Sequence, residues 1–250
     1  MDTGLLVGFA LVLTRAAGFF AFIPLPGGKP GPEAARIVLA LGFTLALVSA
    51  WPATAADLSA GRLLVWMLAE AAFGITIGLA VACLAEGFQM AAQIAGLQAG
   101  YGYASTIDPT TQADATVLLV LAQLIAGLLF FAMGLDREIL LIFARNLASH
   151  PPGSFAVSGE AASAVVHLTA GIFTTGWRLA LPVVALLALV DLALALLGRL
   201  HAQLQLVTLA FPAKMLVTLG LLAALASLYA RIYGSSARDM LRVVARLAGV

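Results

Sequence analysis

The stretch LLVWMLAEAAFGITIGLAVACL, residues 63–84, decides how this chain is read. Apart from Glu70 and Thr76 it is apolar from end to end. It is long enough for the roughly 20 residues that a helix needs to cross a bilayer. Gly74 and Gly78 stand at i and i+4, a spacing that lets two helix backbones approach closely where the hydrophobic effect gives little help. Beyond Leu84 the pattern runs on as a polar-faced helix to about Gly100, with Gln89, Gln93, Gly96 and Gly100 on roughly one side. The stripe reads either as a tightly packed, partly hydrated wall or as ordinary helix packing.

Similar apolar runs lie on both sides. The first, residues 4–23, lacks a basic leading segment and a clear cleavage site, so it is read as a retained span rather than a signal peptide. It ends in a loop crowded with Pro and Gly through Pro32. A second span covers residues 34–51 and closes at Pro52. Residues 101–114, YGYASTIDPTTQAD, break the pattern with small polar residues and read as a loop, with a turn signal at Asp108-Pro109-Thr110-Thr111. A fourth span, 115–135, continues as helix to about Ala148, before His150-Pro-Pro-Gly153. Residues 161–197 are too long for one simple span. Gly176, Arg178 and Pro182 suggest two helical pieces or one long broken helix. The sixth run, 204–232, contains Pro212 and Lys214, and a basic tail follows over 233–250. The fold expected is all-α: a polytopic hydrophobic protein of about six long, partly broken helices arranged as helical hairpins.

Composition bounds the function. Of 250 residues 62% are hydrophobic and only 10% charged, and the mean hydropathy is +1.06. A soluble domain carries about 45–50% apolar and about 25% charged residues, so a soluble monomer and a disordered chain are both excluded. The formal net charge of +1 points to no nucleic-acid partner. With six alternating spans and a cytoplasmic C-terminus, Arg62, Arg137 and Arg145 share a side with Arg231, Arg238, Arg242 and Arg246. Lys29, Arg36 and Arg199 lie opposite, so the basic excess favours that orientation. Cys83 is alone, which rules out an internal disulfide, and it reads as a small core residue. His150, His167 and His201 are isolated, and no P-loop, GxGxxG, GxSxG or HExxH occurs. Neither catalysis nor a cofactor is expected.

Charges inside apolar spans are the other candidates for chemistry: Arg15, Glu70, Glu86, Arg178, Asp191 and Lys214. A charge at the centre of a span costs about 2.5–3.5 kcal/mol on insertion scales, so it is paired, snorkels, or faces a polar path. Helix-to-helix pairing and an ion or proton relay both fit. The loop 101–114 is either an exposed turn or a segment lining a wet cavity.

Two blocks carry a resemblance. Ile94-Ala-Gly-Leu-Gln-Ala-Gly100, the stretch 101–107 and Asp108-Pro-Thr-Thr111 resemble the central segment of the FliR family of flagellar export-gate proteins, whose relatives serve virulence type III secretion. Trp177-Arg-Leu-Ala-Leu-Pro-Val183, Leu189-Val-Asp-Leu-Ala-Leu-Ala195, Leu197-Gly-Arg199, Gln203-Leu204 and Phe211-Pro-Ala-Lys214 are similar to its C-terminal signature. The likeness covers nearly the whole chain. Departures are Ala92, Ala99, the run Gln112-Ala-Asp-Ala-Thr116, Asp136-Arg137-Glu138 and Ala202.

The resemblance implies one integral-membrane export-gate domain over 1–250, in the bacterial inner membrane at the flagellar basal body. FliP- and FliQ-like subunits, with FlhB- and FlhA-like proteins nearby, would build with it a channel for unfolded flagellar proteins among membrane lipids. It also implies that residues 100–114 plug the closed pore. Gly96, Gln98, Gly100, Tyr101, Tyr103, Asp108, Pro109, Thr110 and Thr111 would form the plug and its support. Arg178, Pro182, Asp191, Arg199, Gln203, Pro212 and Lys214 would be polar landmarks of assembly. The alternative is a small secondary transporter that uses the interior charges as an ion or proton path. A structural subunit of a membrane enzyme has no haem- or quinone-ligand pattern behind it.

Overall fold

A computed structural model describes residues 3–23, 33–51, 59–101, 116–152, 159–200 and 206–249. Among these residues the regular elements are all helical: α1 (Thr3–Phe22), α2 (Glu33–Ala46), a 3-10 turn (Val48–Ala50), α3 (Ala60–Ala99), α4 (Thr116–Ala132), α5 (Leu135–Ser149), α6 (Gly159–Leu200), α7 (Leu206–Ala224) and α8 (Ala226–Leu247). The chain is a polytopic helical membrane protein, as its apolar runs predict.

Among the described residues, the helices long and apolar enough to cross a membrane number fewer than the six apolar runs of the sequence. Helices α1, α3 and α6 are each long and apolar enough to span, whereas α4 with α5 and α7 with α8 are bent pairs, at 62° and 60°. Counting each pair as one span gives up to five. The run at 34–51 falls short because α2 has only 14 residues, about 21 Å at 1.5 Å per residue, against a hydrocarbon core of about 30 Å. After the 3-10 turn Trp51 folds back and its indole N–H donates to the Thr44 carbonyl at 3.0 Å.

Helix α3 is the axis of the fold, touching α1, α4, α6, α7 and α8. Its glycines explain the closest of these contacts. A Cβ at Gly74 would stand 2.1 Å from the Arg15 carbonyl oxygen, one at Gly78 2.5 Å from that of Phe19, and one at Gly18 2.7 Å from that of Ala71. The backbones of α1 and α3 touch, so this glycine spacing serves packing. Farther along α3, the Gln89 amide donates to Glu86 Oε1 at 3.0 Å and accepts from Gln123 of α4 at 2.9 Å. Gln93 is exposed.

The main core joins α1, α3, α4, α5 and α8 through Phe19, Phe73, Phe88, Phe130, Phe143 and Tyr233. Within it Arg15 and Glu70 are 1% and 0% exposed. Arg15 Nε donates to Glu70 Oε2, and its Nη1 donates to Asn146 Oδ1 at 2.8 Å and to the His150 carbonyl at 3.3 Å. The guanidinium lies 4.9 Å from the Phe73 ring centroid. The Asn146 amide passes the chain on, donating to the Ala248 carbonyl at 2.8 Å. The buried ion pair ties α1 to α3, and Asn146 extends it from the end of α5 to the residue that caps α8.

The basic segment is helical through Leu247, and Ala248 after it is buried. Helix α8 buries Tyr233, Gly234, Ala237, Met240 and Val244 and leaves Arg231, Arg238, Arg242 and Arg246 exposed. Such a two-faced helix fits a membrane interface. Helix α6 is the opposite case. It is continuous through Pro182, and Leu181, Leu186, Leu189, Leu192 and Leu196 are exposed along it.

Candidate functional site

The site lies where α3 stops and the loop after it begins. Gly100 ends the helix with φ of +85°, in the left-handed region that glycine enters without penalty. Its N–H donates to the Leu97 carbonyl at 3.1 Å, and the Tyr101 N–H reaches back to the Gly96 carbonyl at 3.0 Å. A side chain at residue 100 would meet the Phe211 ring of α7 at 2.5 Å. The stop is therefore fixed twice, by backbone conformation and by an aromatic wall.

A polar cluster braces this end of α3. The Lys214 ammonium of α7 stands 2.8 Å from Asp191 Oδ1 of α6. On the same carboxylate, the Gln98 amide of α3 donates to Oδ2 at 3.2 Å. Three helices meet at one carboxylate, which spares each polar group the cost of standing alone in apolar surroundings. Beneath it lies a small separate core of Ala95, Ala99, Val183 and Leu187, against which Tyr101, Val217 and Leu221 pack. The Tyr101 hydroxyl donates to the Met215 carbonyl at 3.4 Å, and burial pushes its phenol above the ordinary value.

Of the residues singled out in the sequence, Gln98, Gly100, Tyr101, Asp191 and Lys214 converge here, with Gly96 buried one turn earlier. Pro212 is exposed on α7, beside Phe211. Arg178 and Arg199 are exposed elsewhere on α6, and neither forms an ion pair among the described residues. Pro182 is half-buried on the same helix. Tyr103, Asp108, Pro109, Thr110, Thr111 and Gln203 lie outside the described residues. Sequence reasoning missed Phe211 as the wall against Gly100, although the residue stands in the quoted signature. It also missed Asn146, the partner of Arg15. Asn146 interrupts the buried stripe Leu135, Ile139, Phe143 and Leu147 of α5, and a lone amide on a core-facing stripe is the signal that could have found it.

Comparison with known proteins settles the family. Residues 6–240 match the model of the bacterial export proteins, family 1. The chain belongs to the bacterial export proteins, family 1. It is 27% identical over 218 residues to the flagellar biosynthetic protein FliR of Escherichia coli K12, covering 87% of this chain and 84% of that one. The protein of the same name from Pectobacterium carotovorum is 30% identical over 181 residues, 71% of this chain and 69% of that protein. The one from Caulobacter vibrioides is 23% identical over 241 residues, covering 94% of both. The resemblance carried by the two sequence blocks is to the same family, and for this export protein both blocks lie within the matched region.

Proposed function

We propose that the chain is a subunit of the flagellar protein export gate in the bacterial inner membrane. There, with FliP- and FliQ-like subunits and near FlhB- and FlhA-like proteins, it forms a channel for unfolded flagellar proteins, and residues 100–114 plug the closed pore. Its part is structural: to hold the plug segment at a fixed place. The observation that carries the reading is the braced stop at Gly100. A helix end set by a left-handed glycine, the Phe211 ring and the Gln98–Asp191–Lys214 cluster gives the following loop a rigid point of departure. The flagellar names of the relatives support the setting. The exposed leucines of α6 supply apolar surface that sibling subunits would cover.

Deletion of residues 105–112 tests the plug. The expected result is an assembled gate that leaks ions across the membrane. An assembled gate with no added leak removes the plug assignment. The transporter reading draws less support, because four of the six charges pair off, Arg15 with Glu70 in a sealed core and Lys214 with Asp191, while Glu86 and Arg178 are exposed. Uptake of a solute by the purified chain alone in liposomes would favour it.

A further inference from the structure

Between α3, α6 and α8 lies a cleft of about 330 Å³ that takes no part in the loop-bracing site. Its polar lining is His167 and Thr175 from α6 and Ser236, Asp239, Arg242 and Arg246 from α8. Arg242 pairs with Asp239 one turn away, in a contact exposed to solvent. Arg246 has no carboxylate partner among the described residues. The two hydroxyls, Thr175 Oγ1 and Ser236 Oγ, stand 3.5 Å apart across the α6–α8 contact. The rest of the wall is apolar, with Leu84, Leu168, Ile172 and Val243. One cleft therefore offers an excess of positive charge, hydroxyl donors, and a greasy wall between helices of a membrane protein.

We propose that this cleft holds a phosphate-bearing anion, with Arg246 and Arg242 on the phosphate and an attached acyl chain along the apolar wall. A guanidinium matches phosphate oxygens with paired N–H donors, and basic pockets between membrane helices suit anionic headgroups. A free phosphate would use the arginines but not the wall, so an anionic phospholipid fits more of the lining. Arg231 and Arg238 share the exposed face of α8 but do not line the cleft. They separate a built site from general attraction between a basic face and a charged surface.

The test is native mass spectrometry of the full chain, extracted in mild detergent with whatever partners accompany it and offered phosphatidylglycerol, phosphatidylcholine or soluble glycerol phosphate. Retention of phosphatidylglycerol over phosphatidylcholine is expected. Arg246→Gln and Arg242→Gln should each lower it by about tenfold, the loss of one hydrogen bond between charged groups. Arg231→Gln should leave retention unchanged, and all three variants should keep the wild-type unfolding midpoint. Equal losses from Arg231→Gln and Arg246→Gln, or equal retention of the two lipids, would overturn the site. Binding of glycerol phosphate as strong as that of phosphatidylglycerol would overturn the role given to the acyl chain.

Discussion

Two clusters of the same chemistry stand near the two ends of α3. Near its start Glu70 holds Arg15, and an amide from Asn146 completes the set. Near its end Asp191 holds Lys214, with an amide from Gln98. The first is sealed, with both charges at most 1% exposed. The second is half-open, with Lys214 at 11% and Asp191 at 43%. Burial makes the difference in role. In a sealed cluster each partner depends on the others, because an orphaned charge has no water to turn to. In a half-open one solvent can stand in for a lost partner, so the cluster can position a segment without deciding whether the chain folds. We read the first as the clamp of the fold and the second as the brace of the loop.

The largest effect should come from breaking the clamp. Glu70→Leu leaves the Arg15 guanidinium buried without its carboxylate and should cost about 3–5 kcal/mol, read as loss of folded protein on thermal unfolding in detergent. Next is Gly74→Ala, whose methyl meets the Arg15 carbonyl across the α1–α3 contact. Overpacking of that kind costs about 1–3 kcal/mol, and the same unfolding midpoint measures it. Gly100→Ala forces a side chain into the left-handed region and against Phe211. It should cost about 1–2 kcal/mol, and an ion-leak assay on assembled gates should show that the brace has shifted. The smallest effect is expected of Gln98→Leu. It removes one hydrogen bond between membrane helices, worth about 0.6 kcal/mol, so its midpoint should move little.

The apolar runs locate α1 and α3 to within a few residues: the run 4–23 corresponds to α1 at Thr3–Phe22. The stop at Gly100 was legible because glycine there serves a backbone need. The bends were not. The kink before α5 falls at Met133 and Gly134, inside an unbroken apolar stretch where hydropathy is blind, although Gly134 at φ of +67° marks it in retrospect. The α7–α8 bend at Leu225 has no breaker residue at all. Conversely, Pro182 suggests an interruption, yet α6 runs through it, without the N–H that would bond the Arg178 carbonyl. For the site, the residues stood out as charges where charge is costly, but their meeting did not. Gln98 and Asp191 are 93 residues apart, and only the packing of α3, α6 and α7 brings them to one carboxylate.

The half-open cluster is proposed to brace a plug rather than to hold the fold. Ion leak through membranes carrying the assembled gate with Lys214→Met tests this most directly. A clear rise in leak is expected while assembly and unfolding midpoint stay close to wild type. Wild-type tightness in a correctly assembled Lys214→Met gate would contradict it.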